Sequence, residues 1–345
     1  MRRYYLAILL LASLLVPWAA DAQISATEQK LYEAAKKEGG EITWYSAHSA
    51  AEVLELIGRG FEAKFPGLKV NVVRATAQVA FQRLSQDVKA NSAQCDVFSS
   101  TDVGHYVYLK QNKLLAKYVP ENASKMFPAY QNLDPDGFYH ITSAGLVLIT
   151  YNTAKVKPED APKKWTDLQD PKWRNQVSLG HPGFSGYVGT WAVLMKKLYG
   201  WDYFKKLEVN KPQIGRSIND TVTMLNAGER SVAAGPAETT LRSAQKGNPL
   251  ALVYPEDGTL LMYAPSAVMA NSKRPNGAKL FMEFLMGVEY SQIMVEQYGE
   301  PMRPEVKLPP EMKPIDQIKT LRPTVDEIVN GVPEVKELWR DTFGV

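Results

Sequence analysis

Clusters of hydroxyl and imidazole side chains recur directly after short apolar runs in this chain. Ser46, His48 and Ser49 follow 41–45, Ser99, Ser100 and Thr101 follow 95–98, and His181, Ser185, Gly186 and Tyr187 follow 176–179. Where a strand hands over to a helix, hydroxyls and free backbone N–H groups can donate hydrogen bonds to an anion or a polar ligand. Arg216 adds a guanidinium able to clamp a carboxylate or phosphonate in bidentate fashion. Glu238 with Thr239 offers a carboxylate suited to an amine or a cation, so the two together suit a zwitterion. Each feature has a plainer reading: Ser49 as a helix cap, 180–186 as an ordinary turn, Arg216 as a surface arginine, and Glu238 as the i,i+4 partner of Arg242.

Catalytic patterns are missing from the same stretches. Gly183-Phe184-Ser185-Gly186-Tyr187 fails the nucleophile elbow G-x-S-x-G at its last position. The 4 histidines (His48, His105, His140, His181) form neither H-E-x-x-H nor a Cys/His zinc spacing, and no GxxxxGK[ST] occurs. The expectation is a binding protein rather than an enzyme, with no cofactor and no metal centre; a periplasmic hydrolase is the rival class.

The elements that must hold these clusters alternate. Ser25 and Glu28 spell a capping box, with Gly39-Gly40 as the stop. Strands at 41–45, 68–73 and 95–98 alternate with helices, the second of them at 50–65 and the third at 79–90, the order that builds a parallel sheet flanked by helices. Ligands sit outside the carboxyl ends of such strands. The β-rich run 139–151 is too long for one short central strand and reads as a connection between two lobes. Beyond it the alternation resumes: strand 176–179, helix 187–198, strand 213–215, helix 220–226 capped by Ser217, strand 231–234, strands 250–254 and 260–268, and helices 278–286 and 291–298. The second of the paired strands is a candidate return crossing. A proline-rich tail from Pro301 is expected to wrap the surface around a short last helix at 334–339, begun by Pro333.

Compartment is read from the first residues. Arg2 and Arg3, the apolar run 6–16 and Ala20-Asp21-Ala22 make a signal peptide, 1–22, cleaved after Ala22. The run is too short to span a membrane, and no Cys near the cleavage site supports lipid anchoring. Cys95 is the only cysteine, so no intrachain disulfide forms despite an oxidising periplasm. Stability must come from buried apolar area; 45% hydrophobic residues over about 320 mature positions suits two cores. A net charge of +3 without long like-charge blocks argues against nucleic acid and anionic membrane as partners.

With these segments in place, the chain resembles the periplasmic solute-binding proteins of ABC importers, in the branch of the ferric-iron-binding proteins and their relatives for thiamine, sugar phosphates and phosphonates. The matching stretches are EITWYSAHSA, CDVFSSTD, GLVLITYNT, WTDLQDPKWRNQVSLG, LNAGERSVAAG, VYPEDGT and NSKRPNGAKLFMEFLMG, in order from about residue 40 to 300. The resemblance implies an α/β type II periplasmic binding protein: two lobes, each a mostly parallel sheet flanked by helices, joined by a two-strand hinge that closes on a small solute. The lobes would comprise 23–140 with 263–305, and 141–262 with 306–345. It further implies a monomer that delivers its ligand, an organic anion or zwitterion, to a membrane permease; handing the ligand to a chemoreceptor is compatible with the same residues. Iron-binding members carry an adjacent tyrosine pair where this chain has GPAETT (235–240). Ferric iron or an iron chelate is therefore the alternative ligand, with Glu238 able to supply oxygen.

Overall fold

The computed structural model describes residues 24–345, and the expected signal peptide lies outside the described residues. Helix α1 (Ala26–Lys37) opens with the expected capping box, Ser25 and Glu28 each satisfying the other's backbone N–H. It stops where Gly39 and Gly40 take φ of +95° and +72°, a region that favours residues without a Cβ. There follow β1 (Glu41–Ser46), α2 (Ala51–Lys64), β2 (Lys69–Arg74), α3 (Ala77–Lys89), β3 (Val97–Ser99) and α4 (Val103–Gln111). After a loop-rich stretch come β4 (His140–Asn152), β5 (Val177–Leu179), α5 (Gly186–Tyr199), α6 (Asp202–Val209), β6 (Gln213–Ile214) and α7 (Asn219–Asn226). The remainder comprises β7 (Val232–Pro236), α8 (Ala237–Gln245), β8 (Leu250–Val253), β9 (Thr259–Val268), α9 (Pro275–Leu285), α10 (Val288–Glu296), β10 (Thr320–Leu321) and α11 (Val325–Phe343).

The strands hydrogen-bond in the order β2-β1-β3-β9-β4-β7-β5-β6, with β10 beside β9 and β8 beside β4. At each end of this path the pairing is parallel: β1 with β2 and β3, β5 with β6 and β7. In the middle it is antiparallel, because β4 and β9 run past each other from His140↔Ser266 to Val147↔Leu260. Beyond that ribbon β9 continues against β3, and β4 continues between β7 and β8. Each of the two long strands thus belongs to one half of the sheet at one end and to the other half at the other.

One face of the first half packs under α1, α2, α9 and α10, where Trp44, Phe61, Phe281 and Phe284 meet edge to face with centroids 5.0–5.5 Å apart. The opposite face is a single apolar cluster that runs through both halves, from Phe98 and Tyr106 to Trp165, Trp191 and Trp339.

The tail differs from expectation. A 19-residue helix, α11, stands where a short one was expected, and Pro333 lies inside it rather than at its start. Proline removes one backbone donor from a helix interior, at a cost of about 3 kcal/mol or more. The helix persists because Ile328, Val332, Val335 and Trp339 are buried along one face, packed on α5, α4 and α6. Its start is fixed by a capping box of Thr324 and Glu327. Trp339 is fully buried between Phe204 and Phe343. Replacing it with alanine is expected to lower the unfolding free energy by about 3–5 kcal/mol in urea melts; a loss under about 1 kcal/mol would show that α11 is not anchored this way.

Candidate functional site

The carboxyl ends of the parallel strands converge on one cleft of about 550 Å³, counting its open mouth. From β1 come Ala47, His48 and Ser49; from β2, Arg74 and Thr76; from β3, Thr101. The other half supplies Ser185 and Tyr187 after β5, Ser217 and Asn219 after β6, and Glu238 and Thr239 after β7. Gly145 and Leu146 of β4 form its floor, and the Tyr187 hydroxyl occupies the space a Cβ at Gly145 would need.

Of the residues singled out from sequence, the fold brings His48, Ser49, Thr101, Ser185, Tyr187, Glu238 and Thr239 to the cleft wall. The others lie behind or beside it. Ser46, Ser99 and Ser100 are fully buried. Ser46 Oγ accepts from His48 N–H at 3.4 Å. Ser99 Oγ accepts from Trp44 Nε1 at 2.7 Å and meets Ser266 Oγ, which in turn meets Thr142, so these hydroxyls tie β1, β3, β9 and β4 together. Ser100 Oγ bonds His105 Nδ1 at 2.8 Å. His181 folds back on its own turn, Nδ1 accepting from Gly183 N–H, with its ring near Phe184. Arg216 is exposed and lies 4.6 Å over the Phe184 ring. Gly186 packs against the Thr101 backbone so closely that a Cβ would strike the carbonyl. Ser49 is not the helix cap: the N-cap of α2 is Ala50, with no side-chain cap, and the Ser49 hydroxyl faces Glu238 Oε2 at 3.4 Å. The Arg242 pairing holds, Nη1 donating to Glu238 Oε1 at 2.9 Å.

Arg74 and Thr76 escaped the sequence reading, although the carboxyl-end rule applied to the second strand points at them. Arg74 is exposed, and no carboxylate among the described residues lies within salt-bridge distance of it. The Thr76 hydroxyl is buried without a partner.

Helix starts around the cleft share a feature. α2, α3, α5 and α8 begin with no side-chain cap bond. At α7 the Asn219 N–H goes to Ser217 Oγ, and the Asp220 and Thr221 N–H groups go to the Ser217 and Ile218 carbonyls. By contrast α1, α4 and α11 are closed by Ser25, Asp102 and Thr324. Uncapped N–H groups with the positive end of the helix dipole contribute roughly 0.3–1 kcal/mol each to a bound anion, up to about 2 when partly buried.

His48 is 7% exposed, and burial pulls its pKa down to about 4. Its Nε2 lies 3.0 Å from the Pro265 carbonyl, which can only accept, so the neutral ring carries its proton there and presents a bare, unpartnered Nδ1. Burial also raises the Glu238 carboxyl, against the pull of Arg242. Among the described residues no group of three or more His, Cys, Asp or Glu is placed to hold a metal.

Residues 93–328 match the family model of the bacterial extracellular solute-binding proteins. A periplasmic protein of Salmonella typhimurium provisionally assigned to 2-aminoethylphosphonate binding is 24% identical over 256 residues, 70% of this chain and 72% of that protein. Iron-bound HitA from Pseudomonas aeruginosa superposes with a TM-score of 0.75 at 23% identity, covering 88% of this chain and 99% of HitA. AfuA from Actinobacillus pleuropneumoniae, with fructose-6-phosphate bound, reaches 0.78 at 21% identity, covering 89% and 99%.

His48 and His105 are both buried and lowered to about 4 from an ordinary 6.5. The unfolded chain therefore takes up more protons than the folded one between these values, and stability falls as pH drops through that window, levelling off below about 4. Each histidine contributes on the order of 2–3 kcal/mol to the fall. Denaturant melts at neutral and acid pH should show His105→Gln losing a large part of this slope; an unchanged slope would contradict the assignment.

Proposed function

The chain belongs to the bacterial extracellular solute-binding proteins, the ligand-capturing components of ABC importers, and from that premise we propose that its ligand is a small organic anion or zwitterion, such as a carboxylate or phosphonate. The carrying observation is the charge balance of the cleft. Its one lining carboxylate among the described residues, Glu238, is engaged by Arg242, while Arg74 and the uncapped starts of α2, α5 and α8 remain available. An oxyanion would take N–H donors from those helix starts and a charge-assisted bond from Arg74. A ligand ammonium would find an acceptor in the Glu238 carboxylate, and so would complete a zwitterion.

In this reading the mature chain is exported after cleavage at Ala22, and no helix among the described residues is long and apolar enough to cross a membrane. Lobes of 23–140 with 263–305 and of 141–262 with 306–345 rotate about β4 and β9 and close on the ligand, which is then delivered to a permease. The two strands' shared membership in both halves of the sheet supports a hinge at that place.

A thermal-shift panel of methylphosphonate, 2-aminoethylphosphonate, small carboxylates, fructose-6-phosphate, thiamine and ferric citrate tests the proposal. A binder at about a hundred times its Kd adds roughly 2.7 kcal/mol of apparent stability. Arg74→Ala is expected to weaken the responding anion by about tenfold or more, the value of a charge-assisted hydrogen bond. A response to ferric citrate alone, or to thiamine alone, would overturn the anion reading.

A further inference from the structure

Two kinds of contact bring the walls of the cleft together. On the Thr101 side the backbones meet directly: Gln78 N–H donates to the Phe184 carbonyl at 3.4 Å, and Gly186 abuts Thr101. On the Glu238 side the contact is made by side chains. Ser49 Oγ donates to Glu238 Oε2 at 3.4 Å, Arg242 Nη1 donates to Glu238 Oε1 at 2.9 Å, and Arg242 Nη2 lies 3.6 Å from Glu52 Oε1. Ser49 and Glu52 sit at the start of α2, whereas Glu238 and Arg242 share α8, so this chain of polar groups crosses from one half of the sheet to the other.

We propose that Arg242 is a positioning residue that latches the cleft shut by holding Glu52 of the facing wall; the proposal rests on reading the cleft as a solute site. The Arg242 side chain is 7% exposed, and a guanidinium so buried needs its donors satisfied. One carboxylate, Glu238, lies one turn back on the same helix and is available whatever the cleft does. Glu52 is on the other wall and can reach Arg242 only when the walls are close. Its side chain is 58% exposed, so water screens the pair and its strength is modest. A weak ionic contact favours closure without preventing release. Arg242 also cancels the Glu238 charge that would otherwise repel an anion.

The variant Glu52→Lys tests this, since an exposed position leaves the core untouched and places two cations face to face. Small-angle scattering of the variant without added ligand should give a larger radius of gyration than wild type. The difference should vanish near 1 M salt, where the screening length is about 3 Å. With 2-aminoethylphosphonate as the stopped-flow probe, or methylphosphonate if only that binds, dissociation should be about two- to fivefold faster at low salt, and Glu52→Asp should behave like wild type. Scattering and dissociation identical to wild type would overturn the latch while leaving the solute reading intact. If neither probe binds the wild-type protein, scattering alone decides the latch, and the anion reading falls on its own test.

Discussion

The antiparallel ribbon of β4 and β9 is the constraint on which the rest of this structure depends. Parallel strands need crossover helices, so each half of the sheet carries its helices on its faces and its strand carboxyl ends on one edge. A pair of strands that passes through both halves sets those two edges opposite each other. The cleft is the consequence: its walls are loops from strand ends, and its floor is the middle of β4. The hydroxyl chain from Trp44 through Ser99 and Ser266 to Thr142 fastens the ribbon to the first half. The apolar cluster beneath α11 backs it from behind.

Within that frame the site's electrostatics follow from what the protein satisfies and what it leaves open. Away from the cleft, α1 and α11 end their free N–H groups on their own capping boxes, and the start of α9 is met by the Glu38 carboxylate, which accepts from Asn276 and Gly277 N–H. At the cleft α2, α5 and α8 begin without a side-chain cap, which leaves first-turn donors for a ligand. His48 is kept neutral by burial and its tautomer is fixed by the Pro265 carbonyl. Glu238 is held by Arg242. An unpaired Arg74 then sets the sign of the cleft.

Such a site lowers the stability of the elements that build it, because unsatisfied polar groups and uncapped helices are costly. The offset comes from aromatic packing elsewhere. Phe61, Phe281 and Phe284 interlock over the first half, and Trp191, Phe204 and Trp339 do so in the second. With Cys95 buried and unpaired, no covalent crosslink contributes among the described residues.

The sequence by itself determined the alternation of elements, the strand ends that carry hydroxyls and the family, because periodicity, caps and glycine stops act over a few residues. It also showed that Glu238 had a competing partner one turn away. It did not determine which of those hydroxyls face a ligand: Ser99 and Ser100 look like Thr101 in sequence, yet Ser99 is drawn inward by the neighbouring strands and Ser100 by His105 of α4. Pro333 looked like a helix start, and only the buried face of α11 shows why the helix runs through it. Arg74 matters because no acid among the described residues reaches it, and the contact of Arg242 with Glu52 joins residues 190 positions apart. Relations of that kind exist only once the sheet has brought its two edges together, so tertiary structure alone decided them.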